Sequence, residues 1–99
     1  MYVIYGIKHR KGTYEGNAYD NYNIGAVDFD TELTSVEAGG DVDISKVKRP
    51  VLEEAMKRYG IKRLADLIGM GVDYSYDKYQ NVSSLTLTEI EEHGEEVKT

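Results

Sequence analysis

The sequence predicts a small, mainly β domain with five strands and one helical segment. Several short runs alternate apolar and polar residues and are rich in valine, isoleucine and tyrosine, which is typical of half-buried strands. Apolar residues recur at helical spacing only in the stretch that begins at Pro50. A chain of 99 residues is long enough for one domain with a modest core. We assign that domain to residues 1–88 and expect the acidic residues 89–99 to form a flexible tail.

The N-terminal half is predicted to contain three strands. They cover residues 2–8, 21–30 and 33–38, with a short extension of the third over residues 41–44. Gly6 lies inside the first strand and indicates a bulge or a sharp bend. Between the first two strands, residues 9–20 are predicted to form a loop with turns at Gly12 and Gly16.

The C-terminal half is predicted to contain a helix and a closing hairpin. The helix is predicted from Pro50 to Tyr59, and a second short helical segment from Ile61 to Ile68. The hairpin strands are predicted over residues 72–77 and 82–88. Tyr74 and Tyr76 share a face with Val72, and we expect both rings to point into the core.

Three strands, a helical segment and a closing hairpin is the element order of a five-stranded oligonucleotide-binding (OB) barrel. The same order also fits an open α+β sheet. Gly6 and Gly25 favour the barrel, because they fall inside strands that would have to curve.

Composition excludes several classes of protein. The absence of cysteine rules out disulfides, thiolate zinc sites and a cysteine nucleophile. No apolar window is long enough for a membrane span, and the first residues do not have the pattern of a signal peptide. We therefore expect a cytoplasmic protein that does not interact with a membrane.

Charge is distributed unevenly along the chain, whose net charge is −6. Residues 17–44 contain seven acids and no base, whereas residues 45–63 contain seven bases and two acids. Because local potential decides what a surface binds, the negative total does not exclude a nucleic-acid partner.

A basic, tyrosine-rich stretch from Lys8 to Tyr22 is the most plausible binding site in the sequence. Cationic side chains there can pair with phosphates, and tyrosine rings can stack on bases. The turn between the hairpin strands adds one lysine and one tyrosine. The predicted nucleic-acid-binding residues are Lys8, Arg10, Lys11, Tyr14, Tyr19, Tyr22, Lys78 and Tyr79. The alternative is that residues 9–20 form an ordinary solvated loop.

Other clusters carry weaker signals. The basic residues from Lys46 to Arg63 fit the polar face of an amphipathic helix, and only faintly a helix-turn-helix. Asp28, Asp30 and Glu32 place three carboxylates on one side of an extended chain, which would suit a divalent-metal nuclease. Solvation of a strand end explains them more simply. We predict no catalytic residue, metal site or cofactor.

Similarity to a known family is found in residues 11–16, 19–22, 66–69, 72–79 and 82–85. In these segments the chain resembles the small single-stranded-DNA-binding, helix-destabilising proteins of phages and mobile elements. This resemblance implies an OB fold, single-stranded DNA as the ligand, and an acidic tail that recruits protein partners.

The leading hypothesis is a non-catalytic module that binds single-stranded DNA or RNA, working as a homodimer or larger assembly. The alternative is a protein-interaction module whose acidic surface binds a basic protein, motivated by residues 17–44 and the acidic tail.

Overall fold

The computed structural model describes residues 1–29 and 38–90, which form a five-stranded antiparallel sheet and one helix. The strands are β1 (Tyr2–Tyr14), β2 (Asn17–Asp28), β3 (Asp41–Lys48), β4 (Gly71–Tyr76) and β5 (Val82–Thr88). Helix α1 (Arg49–Arg58) follows β3, and a 3₁₀ turn (Leu64–Leu67) precedes β4. The order of strands across the sheet is β3–β2–β1–β4–β5.

The sheet is open. Within residues 1–29 and 38–90, no ladder joins its two edge strands, β3 and β5. Helix α1 contacts both edges, and the Arg58 guanidinium donates a hydrogen bond of 2.5 Å to the Leu85 carbonyl in β5. The fold is therefore mainly β with one helix, as predicted, and it agrees with the open-sheet alternative because a helix bridges the edges that a closed barrel would join.

Residues 9–14 and 17–20 belong to strands, so the predicted loop and its turn at Gly12 are wrong, whereas the turn at Gly16 is confirmed. The β1–β2 ladder continues to the pair Tyr14 and Asn17, and only Glu15 and Gly16 form the turn. Their φ angles of 51° and 82° are those of a type I′ turn, which matches the twist of the two strands. Because β3 pairs with β2 only from Asn21 onward, residues 11–20 form a two-stranded ribbon beyond the rest of the sheet.

A bulge in β1 decides which residues face the core. The register shifts between Ile4 and Gly6, so Tyr5 is an extra residue in the ladder. The bulge that Gly6 predicted is thus confirmed. Before it, Ile4 points inward; after it, the inward positions are Ile7 and His9.

The core lies between the inner face of the sheet and α1. It consists of Ile4, Tyr22, Ile24, Ala26, Val47, Leu52, Ala55, Leu67, Val72, Leu85 and Leu87. Every strand contributes to it, and the helix contributes Leu52 and Ala55 on one stripe. The alternation predicted for Tyr22, Ile24 and Ala26 is confirmed.

The predicted extension of the third strand over residues 41–44 is confirmed as part of a longer strand. Residues 33–37 lie outside the described residues, Ala38 is in a bend, and β3 begins at Asp41 and runs to Lys48. The helix near Pro50 is confirmed, but the second predicted helix is reduced to the 3₁₀ turn.

Both strands of the closing hairpin are confirmed, but its two tyrosines differ. Tyr74 is half-buried, whereas Tyr76 is 55% exposed, so the prediction that Tyr76 is a core residue is wrong. Burial raises the pKa of Tyr74 to about 12. Its hydroxyl has no hydrogen-bond partner among the described residues, and the nearby Ser45 donates to Asp43 at 2.8 Å.

A polar network on the inner face connects the β1–β2 hairpin to the helix. Asp20 Oδ1 lies 2.5 Å from His9 Nε2, and Asp20 Oδ2 accepts a 3.1 Å hydrogen bond from Arg49. Arg49 also binds Glu53 at 2.7 Å, and the His9 ring stacks on Tyr22 with centroids 4.6 Å apart. The base of the ribbon is thereby fixed against α1.

We expect the free energy of unfolding to depend on Asp20 at acidic pH. The hydrogen bond to His9, and then that from Arg49, lowers the pKa of Asp20 below its ordinary value. Its contribution is therefore present above the unfolded-state pKa, near pH 4, and is lost as the pH falls through the lower folded-state value. Urea denaturation between pH 7 and pH 3 measures this contribution. In Asp20→Asn, the free energy of unfolding should fall less steeply as the pH is lowered. Asp73→Asn, an exposed carboxylate on β4, is the control, and an equal change in both variants would contradict the expectation.

We expect Gly16→Ala to lower the free energy of unfolding by about 1–2 kcal/mol, because only glycine adopts its positive φ without steric cost. Gly6→Ala is the matched control, since an added Cβ there would have no heavy atom within 4 Å and no positive φ to adopt. Thermal unfolding of both variants measures the difference. Equal destabilisation by the two substitutions would show that the turn geometry is not the cause.

Candidate nucleic-acid interface

Four cationic side chains surround two asparagines on the side of the sheet that faces away from α1. We call this side of β1, β2 and β3 the outer face. The ladders align Lys8 with Asn23 and Lys46 in one row across the three strands. They align Arg10 with Asn21 and Lys48 in the next row. A central column of amides on β2 is therefore flanked by a column of cations on each side.

The dimensions of this arrangement follow from sheet geometry. Adjacent strands are about 4.8 Å apart, so the two cation columns are separated by roughly 10 Å. Successive outer-face residues on one strand are about 7 Å apart. Both spacings suit an extended polyanion lying along β2 with cations on both sides.

Among the described residues, the outer-face cations have no acidic partner. Lys8, Arg10, Lys46 and Lys48 are all exposed, and none forms an ion pair with another described residue. The other three arginines do form such pairs. Arg49 binds Asp20 and Glu53, Arg58 lies 3.6 Å from Glu54, and Arg63 binds Asp66. Arg10 is thus the arginine that pairs with no acid in the described part of the chain.

The acids of β2 and β3 lie on the opposite, inner face and contact groups of the same chain. Asp20 binds His9 and Arg49, and Asp28 lies 3.3 Å from the amino group of Met1. Asp41 accepts a hydrogen bond from Tyr2, which raises the pKa of Tyr2 to about 12, and Asp43 accepts one from Ser45. Asp30, Glu32 and Glu37 are outside the described residues. Among the described residues of β1–β3, the outer face therefore contains no carboxylate.

Two tyrosine rings lie across glycines on the outer face. A Cβ added to Gly25 would lie 2.8 Å from the Tyr5 ring, and one added to Gly12 would lie 2.9 Å from the Tyr19 hydroxyl. The missing side chains let each ring lie against the sheet. Tyr5 is 50% exposed and Tyr19 is 36% exposed, so part of each ring remains accessible.

A groove of about 460 Å³ follows this face toward the tip of the ribbon. Its lining residues are Arg10, Tyr14, Asn17, Ala18, Tyr19, Asn21, Asn23 and Lys46. A second depression continues it toward the other end of β2, past Tyr5, Lys8 and Ile44. Exposed apolar residues, Phe29, Val42 and Ile44, lie at that end.

The structure brings together half of the residues predicted from sequence. Lys8, Arg10, Tyr14 and Tyr19 share the outer face. Lys11 and Tyr22 lie on the inner face, where Tyr22 is only 8% exposed and stacks on His9. A base therefore has no access to the Tyr22 ring.

Lys78 and Tyr79 do not join the other four residues. They lie in the β4–β5 turn, where the Lys78 ammonium is 5.2 Å from the centre of the Tyr79 ring. β4 pairs with β1 only near Tyr2 and Val3 and runs antiparallel to it. The turn at the end of β4 therefore points away from the ribbon tip.

The structure adds Tyr5, Asn21, Asn23, Lys46 and Lys48 to the outer face. The two lysines lie on either side of Val47 in the sequence. This polar–apolar alternation predicts a strand with both lysines on one face. The asparagines alternate with Tyr22 and Ile24, so the same signal places them on the face opposite the core, but it does not place them between two columns of cations. Their position depends on the β1–β2 and β2–β3 registers.

The three-carboxylate candidate from the sequence lies mostly outside the described residues. No group of three residues able to hold a metal ion occurs within residues 1–29 and 38–90, and two of the three carboxylates proposed for a nuclease, Asp30 and Glu32, lie outside them. None of the helices in the described part of the chain is long and apolar enough to cross a membrane.

Comparisons of the chain with protein-family models, with curated proteins and with solved structures found no match. The outer face therefore has to be interpreted from its own geometry.

Proposed function

We propose that the chain is a non-catalytic module that binds single-stranded nucleic acid along the outer face. The observation that most supports this is the separation of charge between the two faces of one sheet. Outside lie four cations that pair with no described acid, and inside lie acids with intramolecular partners. In this mode of binding, Lys8 and Arg10 on one side and Lys46 and Lys48 on the other pair with phosphates. Release of condensed counterions then drives association.

The tyrosines favour a single strand as the ligand. In a duplex, the faces of the bases are stacked on each other and cannot reach a protein ring. Tyr5 and Tyr19 each present part of a ring at the sheet surface, and Tyr14 is 70% exposed at the ribbon tip. Stacking on such rings contributes about 1–3 kcal/mol per base and tolerates any sequence.

We also propose a fold type for this domain. An OB domain binds its ligand on a face centred on its second and third strands, next to the loop between its first and second. Here the amide and lysine columns lie on β2 and β3, and the ribbon replaces that loop. A helix between β3 and β4 also follows the OB order. We therefore propose an OB-type domain whose sheet is open between β3 and β5.

The alternative is a module that binds a basic protein through acidic residues. The four described acids of residues 17–44 have partners within the chain, so the alternative depends on residues 30–37 and the tail. Co-purification that recovers a basic protein and no nucleic acid would favour this alternative.

We expect binding of labelled d(T)8 to weaken steeply with salt. Four phosphate contacts predict a slope of about −3 in a plot of log K against log salt concentration, and Lys8→Ala/Lys46→Ala should reduce it to about −1.4. Fluorescence anisotropy between 20 and 200 mM salt measures both slopes. The control is Lys57→Ala/Lys62→Ala, which removes the same charge from exposed positions on the helix side. Equal losses in the two double variants, or no binding at low salt, would contradict the proposal.

We expect Tyr5→Ala and Tyr19→Ala each to weaken binding of d(T)8 by about 1–3 kcal/mol, because each removes a stacking surface. Tyr5→Phe and Tyr19→Phe keep the ring and should bind as the wild type does. Tyr79→Ala should leave affinity unchanged, since Tyr79 lies in the β4–β5 turn. A loss at Tyr79 that equals the loss at Tyr5 would move the site away from the outer face. Thermal unfolding confirms that each variant is folded.

A further inference from the structure

We infer that the outer face selects purine bases, through Asn21, Asn23 and Arg10. This inference rests on the proposed function and concerns only which bases are preferred. Cations and rings by themselves bind any sequence, because every nucleotide has a phosphate and every base has a π face. Selection requires hydrogen-bonding groups that reach the edges of the bases.

The central amides are placed for that role. Asn21 and Asn23 occupy successive outward positions on β2, between the two cation columns, so a strand held by those columns has its bases above the amides. Neither side chain forms a hydrogen bond with another described residue, although both are partly buried and line the groove. Each amide thus has a free donor and a free acceptor.

The free groups on this face match the edges of purines. An asparagine amide forms two hydrogen bonds with adenine N6 and N7, and an arginine forms two with guanine O6 and N7. Unpaired bases in single strands can present these edges. At a guanine, Arg10 exchanges its phosphate contact for these two hydrogen bonds to the base. It lies directly opposite Asn21 in the ladder and has no carboxylate partner among the described residues.

An unpaired purine offers the amides two edges, whereas a pyrimidine has no N7 and offers only its Watson–Crick edge. A carboxylate would favour cytosine by accepting a hydrogen bond from its N4, and the described acids of the neighbouring strands lie on the inner face. Purine rings also cover more of the exposed surface of Tyr5 and Tyr19 than pyrimidine rings do. Both the polar and the aromatic groups therefore favour purines.

The test replaces a single atom of the base. Anisotropy titrations compare wild-type binding to d(A)8, to the same oligomer containing 7-deazaadenine, and to d(T)8. The deaza base keeps the ring and its stacking but lacks the N7 acceptor. We expect d(A)8 to bind at least about tenfold more tightly than either of the others, which is the effect of one bidentate contact.

The variant Asn21→Ala/Asn23→Ala should bind d(A)8 and its deaza form with equal affinity, and Arg10→Lys should weaken binding of d(G)-containing oligomers more than that of d(A)8. Thr86→Ala, an exposed position on β5, is the control and should keep the wild-type preference.

Equal wild-type affinity for the adenine and deazaadenine oligomers, or discrimination that persists in the double asparagine variant, would overturn the inference. Salt-dependent binding without a base preference would refute the purine selectivity alone, whereas no binding to any oligomer would refute the proposed function as well.

Discussion

The structure of the outer face depends on the bulge at Tyr5 in β1. Side chains alternate along a strand with a period of two, so one extra residue exchanges the faces of all residues that follow it. Ile4 points into the core before the bulge, and Ile7 points into it afterwards. Without the bulge, Lys8 and Arg10 would share the face of Ile4 and lie against the core. The bulge also places the ring of Tyr5 over Gly25.

Charge segregation explains how a chain with a net charge of −6 can present a cationic surface. Seven acids in residues 17–44 look unfavourable for a polyanion when they are counted along the sequence. In the sheet, Asp20, Asp41 and Asp43 alternate with outward residues and point to the side that holds α1. There they bind Arg49, Tyr2 and Ser45, and this intramolecular pairing keeps these three acids away from the cations of the other face. The sign of the electrostatic potential at a binding surface is therefore a local property, which the orientation of the side chains sets.

The two glycine–tyrosine pairs connect sheet geometry to recognition. Glycine weakens a strand, because it has no side chain to pack and loses more conformational freedom on folding than any other residue. At Gly12 and Gly25 the neighbouring tyrosines occupy the space above the backbone and bury part of it. The same contact holds each ring against the sheet, which orders the ring before a ligand arrives. An ordered ring loses less entropy on binding than one that is free in solution.

Local patterns by themselves determined the class of fold, the helix at Pro50, the closing hairpin, the bulge near Gly6 and the inward residues Tyr22, Ile24 and Ala26. These follow from periodicity and from the backbone preferences of glycine and proline, which act over a few residues. The ribbon was missed because Gly12 lies within a ladder, opposite Tyr19, and not in a turn. Only the tertiary structure decided that Lys8 and Arg10 share a face with Lys46 and Lys48, that Tyr22 is buried, and that Lys78 and Tyr79 lie elsewhere. These relations depend on the register between strands that are distant in sequence, because that register alone sets which side chains are neighbours across a sheet.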